Sequence, residues 1–273
     1  MIGSMSNSTI LEGAKNLAGR VCVVTGATSG IGRAASAALA RLGARVVGVG
    51  RDAERAEAAR AFIEAEAGSG APPPVFELAD LSSLQETRDL SRRLSALPGG
   101  VDVLVNCAGA FTARRTLTAE GLETQFAVNH LAPFLLTTAL LPSLLASSDG
   151  RVVVVSSASH RFGRIRWEDP SLRRGYTGLG AYGQSKLANV LFVKELARRL
   201  GPGSSVTIFA EDPGLVYTDM GLKHGRSLTS LGWRLRRLAG TSPEVPARWI
   251  AFLASSPEVR GRSGLYWKDG REL

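Results

Sequence analysis

Two hydrophobic rhythms alternate along the chain. Short valine-rich runs read as buried strands: RVCVVTG (20–26), ARVVGVGR (44–51), VFELADL (75–81), VDVLVNCAG (101–109), RVVVVSS (151–157) and SSVTIFAEDPG (204–214). Between them lie longer segments with helical spacing. IGRAASAALARLG (31–43) closes on Gly43, and AERAEAARAFIEAEA (53–67) is solvated on one side. SSLQETRDLSRRLSAL (82–97) opens on a serine cap, TQFAVNHLAPFLLTTALLPSLLA (124–146) reads as one long helix, and AYGQSKLANV (181–190) lies in another. GSGAPPP (68–74) is a loop, and GLYWKDG (264–270) adds a short last strand. Continuously apolar strands with crossover helices predict an α/β fold: one doubly wound parallel sheet with helices on both faces. Such a sheet binds its ligand at the carboxyl ends of the strands. The single domain runs over 18–273, preceded by a polar arm, 1–17, that lacks the apolar core of a signal peptide.

Composition narrows the function classes. At 273 residues and 44% hydrophobic content, one sizeable core is affordable. No uninterrupted apolar run reaches the ~20 residues of a membrane span, so none is expected. The net charge of +9 is spread over helix ends rather than gathered into one stripe, which argues against nucleic acid as a partner. Cys22 and Cys107 form neither a CxxC pair nor a metal-ligand cluster. They read as buried free thiols of a cytoplasmic protein, and no metal is expected.

The first strand meets the first helix in TGATSGIG (25–32). Gly26, Gly30 and Gly32 let the backbone approach a ligand, and the helix start offers free N–H groups to a pyrophosphate. Thr28, Ser29 and Ile31 belong to the same turn. A second feature is Tyr182 with Lys186. Four positions apart on a helix, they share one face. Taken alone, the pair describes a core tyrosine beside a lysine reaching solvent.

Four motifs change that reading: TGATSGIG, NCAG (106–109), YGQSK (182–186) and DPGLVYT (212–218), in this order on an alternating α/β pattern. Together they resemble the short-chain dehydrogenase/reductase family over roughly residues 18 to 270. VNHLAPFLLT (128–137) and the long gap between SSASH and Tyr182 resemble its retinol-dehydrogenase-like branch, which includes the WW-domain oxidoreductases. The resemblance implies an NAD(P)-dependent oxidoreductase on a Rossmann fold. It implies that Asp80 and Leu81 contact the adenine, and that Asn106, Ala108 and Gly109 lie beside its ribose, with Cys107 where the family has a second asparagine. From the residues alone, Asp80 is equally a helix cap and Asn106 a turn residue. Where NAD-specific relatives place an acid after the second strand, this chain has Gly50, followed by Arg51, a fork-shaped donor suited to a phosphate. NADP(H) is therefore expected, with NAD(H) as the alternative. Asp52 starts the next helix, and Arg33 is either a further positive charge or an exposed helix arginine.

In that setting Tyr182 becomes the proton partner of an alcohol–carbonyl interconversion, and the nicotinamide the hydride partner. A phenol titrates near 10, so Lys186 and a positive nicotinamide are expected to bring it down toward about 7. Lys186 is also expected to reach the nicotinamide ribose. The resemblance assigns Ser157 to the substrate oxygen, with Ser156 as the fallback, and Asn129 to a water linking Lys186 to solvent. It lays Pro213, Gly214, Val216 and Thr218 over the nicotinamide. Glu211 and Asp212 stand where relatives have a histidine or asparagine. His160 reads as a loop residue before a base, and no G-x-S-x-G elbow points to a hydrolase.

Segment 215–242 is expected to cover the substrate cleft, as a lid or as a contact with a membrane surface. A lipophilic or aromatic alcohol or carbonyl is the substrate expected by analogy. Homodimers or homotetramers are the family's usual assemblies. A non-catalytic NADP-binding regulator is the competing class. It is disfavoured because Tyr182, Lys186, Ser157 and Asn129 are all present.

Overall fold

The computed structural model describes residues 17–216 and 240–273. Its elements, in chain order, are β1 (Val21–Thr25), α1 (Gly30–Arg41), β2 (Arg45–Gly50), α2 (Ala53–Ala67), β3 (Val75–Leu78), α3 (Leu84–Ser95) and β4 (Val103–Asn106). The long helix α4 spans Thr124–Ala146. Then come β5 (Gly150–Val155), a 3-10 turn (Ala158–Phe162), α5 (Gly178–Leu200), β6 (Val206–Asp212), α6 (Glu244–Ser255), β7 (Leu265–Lys268) and β8 (Arg271–Glu272). The eight strands form one sheet in the order β3-β2-β1-β4-β5-β6-β7-β8. All pairs are parallel except β7 with β8. The order reverses between β1 and β4, the switch point where a doubly wound sheet takes its ligand.

The period-two alternation of strand side chains divides the core into two layers. On one face Cys22, Val24, Val105, Val153, Val155 and Phe209 pack against α1 and α6 through Leu39, Ile250 and Leu253. On the other, Val23, Val47, Leu104, Val154, Ile208 and Ala210 meet α3, α4 and α5 through Leu90, Leu136, Leu140 and Leu196. The expected α/β architecture holds, with helices on both faces.

Three details differ from the sequence reading. β3 stops at Leu78 instead of 81, because Asp80 turns the chain: its Oδ1 accepts from Ser82 N at 2.9 Å and its carbonyl from Ser83 N at 3.0 Å. α6 and β8 were not anticipated. The long helix is not continuous, since Ala127–Leu131 forms a π-helical turn. Pro133 has no N–H to give the carbonyl four residues earlier, that of Asn129. That carbonyl instead accepts from Asn189 Nδ2 of α5 at 2.8 Å.

Thr124–Ala146 is also long and apolar enough to cross a membrane by length and composition, unlike the sequence expectation. Here it is a crossover helix whose Leu136, Leu140 and Leu144 are fully buried against the sheet.

Candidate active site

The glycine turn forms a cradle at the switch point. Gly26 (φ +71°) and Gly30 (φ +52°) occupy the left-handed region that glycine tolerates. A Cβ on Gly32 would stand 2.4 Å from Gly26 O, and one on Gly26 would stand 2.9 Å from Ala108 Cα. The turn is tied to β2 by Ala27 N to Val49 O at 3.2 Å, and Thr25 Oγ1 accepts from both Cys107 N and Ala108 N at 3.0 Å. Ser29 caps α1 without a side-chain hydrogen bond, so its hydroxyl leaves the helix's first N–H groups open. A tight glycine turn ending at a helix start that its serine leaves open fits a dinucleotide pyrophosphate.

The residues expected around the adenine end are less uniform. Asp80 caps its own turn, which was its bland reading, while Oδ2 lies 3.9 Å from Arg51 Nη1. Arg51 remains 65% exposed in its side chain, so this surface pair is weak. The Leu81 side chain belongs to the core. Asn106 is turned inward, donating to Thr137 Oγ1 at 3.0 Å, so its amide braces β4 against α4. Arg33 lies on the Phe62 ring at 4.2 Å rather than over the turn. At Gly50, a Cβ would meet Thr28 Cγ2 at 2.3 Å.

The catalytic candidates converge at the carboxyl ends of β4, β5 and β6. Tyr182 and Lys186 share one face of α5, and the Lys186 ammonium sits 5.5 Å from the Tyr182 ring centre. Nζ donates to Val155 O at 2.8 Å. Ser157 begins the 3-10 turn, where its Oγ accepts from Ser159 N and donates to Ser159 Oγ, each at 3.3 Å, and its hydroxyl works against the rise of the Tyr182 phenol. Ser156, the fallback, is buried, and its Oγ donates to Lys186 O at 3.0 Å. Phe111 packs edge-on to Tyr182, with ring centres 5.9 Å apart.

Asn129 occupies the π turn. Its Oδ1 accepts from Ala110 N at 2.7 Å, and its Nδ2 donates to Ala110 O and Ser185 Oγ at 3.0 Å. These hydrogen bonds tie the π turn to the chain after β4 and to α5. His160 Nδ1 pairs with Ser157 O at 2.8 Å, which makes it an anchor of the 3-10 turn. Gly214 (φ +69°) turns the chain after β6, and Val216 bridges to Thr241. Thr218 and most of segment 215–242 lie outside the described residues.

Electrostatics sets the balance of the pair in the chain by itself. Burial pushes the Tyr182 phenol up to about 12 and the Lys186 ammonium down to about 8. Tyr182 is half-buried, yet the crowding around its phenol dominates. Asp212 adds to the rise. Lys186 alone therefore does not make the phenol a base at neutral pH. The Cys107 thiol is likewise pushed up to about 12.

Sequence reasoning missed two networks. Asp212 Oδ2 accepts from the Tyr266 hydroxyl at 2.8 Å, and the Tyr266 ring lies 4.6 Å from that of His160. Strand alternation contained the signal, because positions 210 and 266 are register partners and 212 lies two further along β6. Asn189, one turn beyond Lys186, bridges the Asn129 carbonyl and His130 Nδ1, the latter at 3.1 Å.

A family model for short chain dehydrogenases matches residues 20–227. The chain belongs to the short-chain dehydrogenase/reductase family. Retinol dehydrogenase 14 of Mus musculus is 41% identical over 269 residues, covering 93% of this chain and 79% of the relative. Polyprenol dehydrogenase of Mus musculus is 41% identical over 263 residues, with coverages of 93% and 77%. Retinol dehydrogenase 13 of Homo sapiens is 40% identical over 261 residues, with coverages of 92% and 76%. These relatives place the chain in the retinol-dehydrogenase-like branch. Among solved structures, one from Beutenbergia cavernae is provisionally named an NAD(P) dependent gluconate 5-dehydrogenase and carries NADP at low occupancy. It superposes with a TM-score of 0.73 at 28% identity, over 93% of this chain and 96% of its own. The chain is thus an oxidoreductase of a family that uses NAD(P)(H).

Proposed function

We propose that this oxidoreductase prefers NADP(H) and interconverts a lipophilic or aromatic alcohol and its carbonyl, with Ser157, Tyr182, Lys186 and Asn129 as its working set. The observation that carries the reading is the meeting of Ser157, Tyr182 and Lys186 at the strand ends beside the glycine cradle. The residues present fit the nucleotide. The turn 26–32 would hold the pyrophosphate, and Arg51, exposed beside a glycine that cannot repel charge, would meet a 2′-phosphate. When bound, the nicotinamide supplies or accepts the hydride. Tyr182 moves the proton at its phenol oxygen, and Ser157 orients the substrate oxygen against it. Lys186 holds positive charge under the site, fixed by Val155 O. Asn129 keeps the π turn, and with it the wall of the site, in register. The Ala108–Gly109 backbone, the Asp80–Leu81 turn and Pro213–Gly214 would border the cofactor. Phe162, Trp167 and Leu179 are exposed in the stretch between Ser157 and Tyr182 and suit a greasy substrate. Free Cys22 and Cys107 suit a cytoplasmic site, and the exposed Phe134 and Leu191 of α4 and α5 suit pairing of copies.

Titration with NADPH and NADH, read by nicotinamide fluorescence, tests the cofactor assignment. NADPH should bind at least tenfold tighter, about 1.4 kcal/mol, and Arg51→Ala should erase the difference. A preference for NADH overturns it. Tyr182→Phe should bind NADPH unchanged yet lose roughly 10²–10⁴ in turnover of lipophilic aldehydes. Full activity in that variant removes Tyr182 from the mechanism.

A further inference from the structure

Asp212 ends β6 at 2% exposure, in the slot where the resemblance expects a neutral or basic side chain. Its two oxygens are used separately. Oδ1 accepts from Gly214 N at 3.0 Å, closing the turn after the strand. Oδ2 accepts from the Tyr266 hydroxyl of β7 at 2.8 Å. Tyr266 stacks on His160, and His160 is bonded to the Ser157 carbonyl at 2.8 Å. One buried carboxylate thereby joins the turn at Pro213–Gly214 to the segment carrying Ser157. The β5–β6 ladder also sets it beside the pair: Ser156 N donates to the carbonyl of Glu211, the residue before Asp212, at 2.6 Å, and Ser156 Oγ donates to Lys186 O at 3.0 Å, so the carboxylate's charge acts on both Tyr182 and Lys186.

Resting on the function proposed above, we propose that Asp212 is a positioning residue of this site. Its carboxylate braces the Pro213–Gly214 turn against β7 and fixes a negative charge beside Tyr182, so the site is tuned to give a proton to a carbonyl rather than take one from an alcohol. Like charges close together disfavour each other, so a phenolate beside a carboxylate forms reluctantly. The other groups around the pair do not cancel this. Cys107, just after β4, is a neutral thiol, its ionisation pushed up to about 12. Glu211, the preceding residue on β6, has its ionisation raised well above the usual carboxylate range, by burial first. Ser157 offers a hydroxyl, and Arg161 acts on Tyr266. Lys186 is the cation that faces both, and it is bound to the Val155 carbonyl.

The test is the ionisation of Tyr182 itself, read by NMR in protein labelled with 13C at the tyrosine Cζ. The chain has four tyrosines, and Tyr182→Phe assigns the resonance. Asp212→Asn removes the charge; its Oδ1 can still accept from Gly214 N, while its Nδ2 donates to the Tyr266 hydroxyl, which turns to accept. At any pH well below the midpoint, the phenolate fraction of Tyr182 should rise roughly tenfold, a shift on the order of one unit. Tyr266→Phe keeps the charge and removes the brace, so it should leave that fraction in place. Should Asp212→Asn fail to fold, Asp212→Ser is read the same way. An unchanged fraction on removing the charge, or an equal rise in Tyr266→Phe, overturns the proposal. NADPH binding is followed separately. Failure of the unaltered chain to bind it defeats the proposed function while the phenol titration still judges the role of Asp212.

Discussion

Glu211 shows what a single residue gives up in this site. It is 1% exposed, and neither carboxylate oxygen has a hydrogen-bond partner among the described residues. Burial first, then Asp212 and Asp269, hold its ionisation well above the usual carboxylate range. The folded chain therefore keeps a proton that the unfolded chain releases. Stability is full below the unfolded value, about 4.3 for a glutamate, and falls as pH rises through the folded one. Glu211→Gln should consequently raise the urea midpoint more at pH 8 than at pH 5; an equal change at both would mean that Glu211 does not carry this titration. Tyr182 and Lys186 were legible in the sequence because helical spacing alone puts i and i+4 on one face. The balance between them was not. It depends on burial and on Asp212, which arrives from a different strand.

At the scale of elements, local chemistry explains what could be read and what could not. The glycine turn announced itself, because its backbone conformations and close approaches leave no room for a Cβ. Ser83 and Asp52 were readable as helix starts, and each accepts a backbone N–H in its cap. The π turn of α4 was not read, although Pro133 marks it, because the group that answers the freed carbonyl is Asn189, 60 residues away. The Asp212–Tyr266 pair, 54 residues apart, was hidden for the same reason: only sheet register brings it together. The β2–α2 junction yields a further expectation. An acid at position 50 is the usual way to favour NAD, but its Cβ would stand 2.3 Å from Thr28 Cγ2. Gly50→Asp should therefore weaken both nucleotides, whereas Gly50→Asp combined with Thr28→Ser should recover NADH binding preferentially. Competitive fluorescence titration distinguishes the two, and a clean switch by Gly50→Asp alone would contradict the clash.

For the molecule as a whole, the sheet is pinned at the end opposite the site. Arg151, with no exposed side-chain surface, pairs with Asp149 at 2.9 Å and donates to Ser256 O at 3.1 Å, tying the start of β5 to the chain after α6. Arg151→Met should leave Asp149 with its more distant partners Arg20 and Arg260 and cost about 3–5 kcal/mol in a urea melt. Nucleotide affinity at low temperature should be unaltered; a fall in affinity without a fall in stability would place Arg151 in the site's own network. The opposite end carries a different kind of join. Thr241 N and Oγ1 both donate to Leu215 O, at 2.8 and 3.2 Å, and Val216 bridges to Thr241. The chain thus leaves the sheet after β6 and re-enters it before α6 at one point. Closing a longer loop between fixed ends costs only about 0.6 kcal/mol per doubling. A change in the length of chain carried between those two ends therefore asks little of the strands that hold Ser157, Tyr182 and the glycine turn, much as a chuck keeps its grip when the tool is changed.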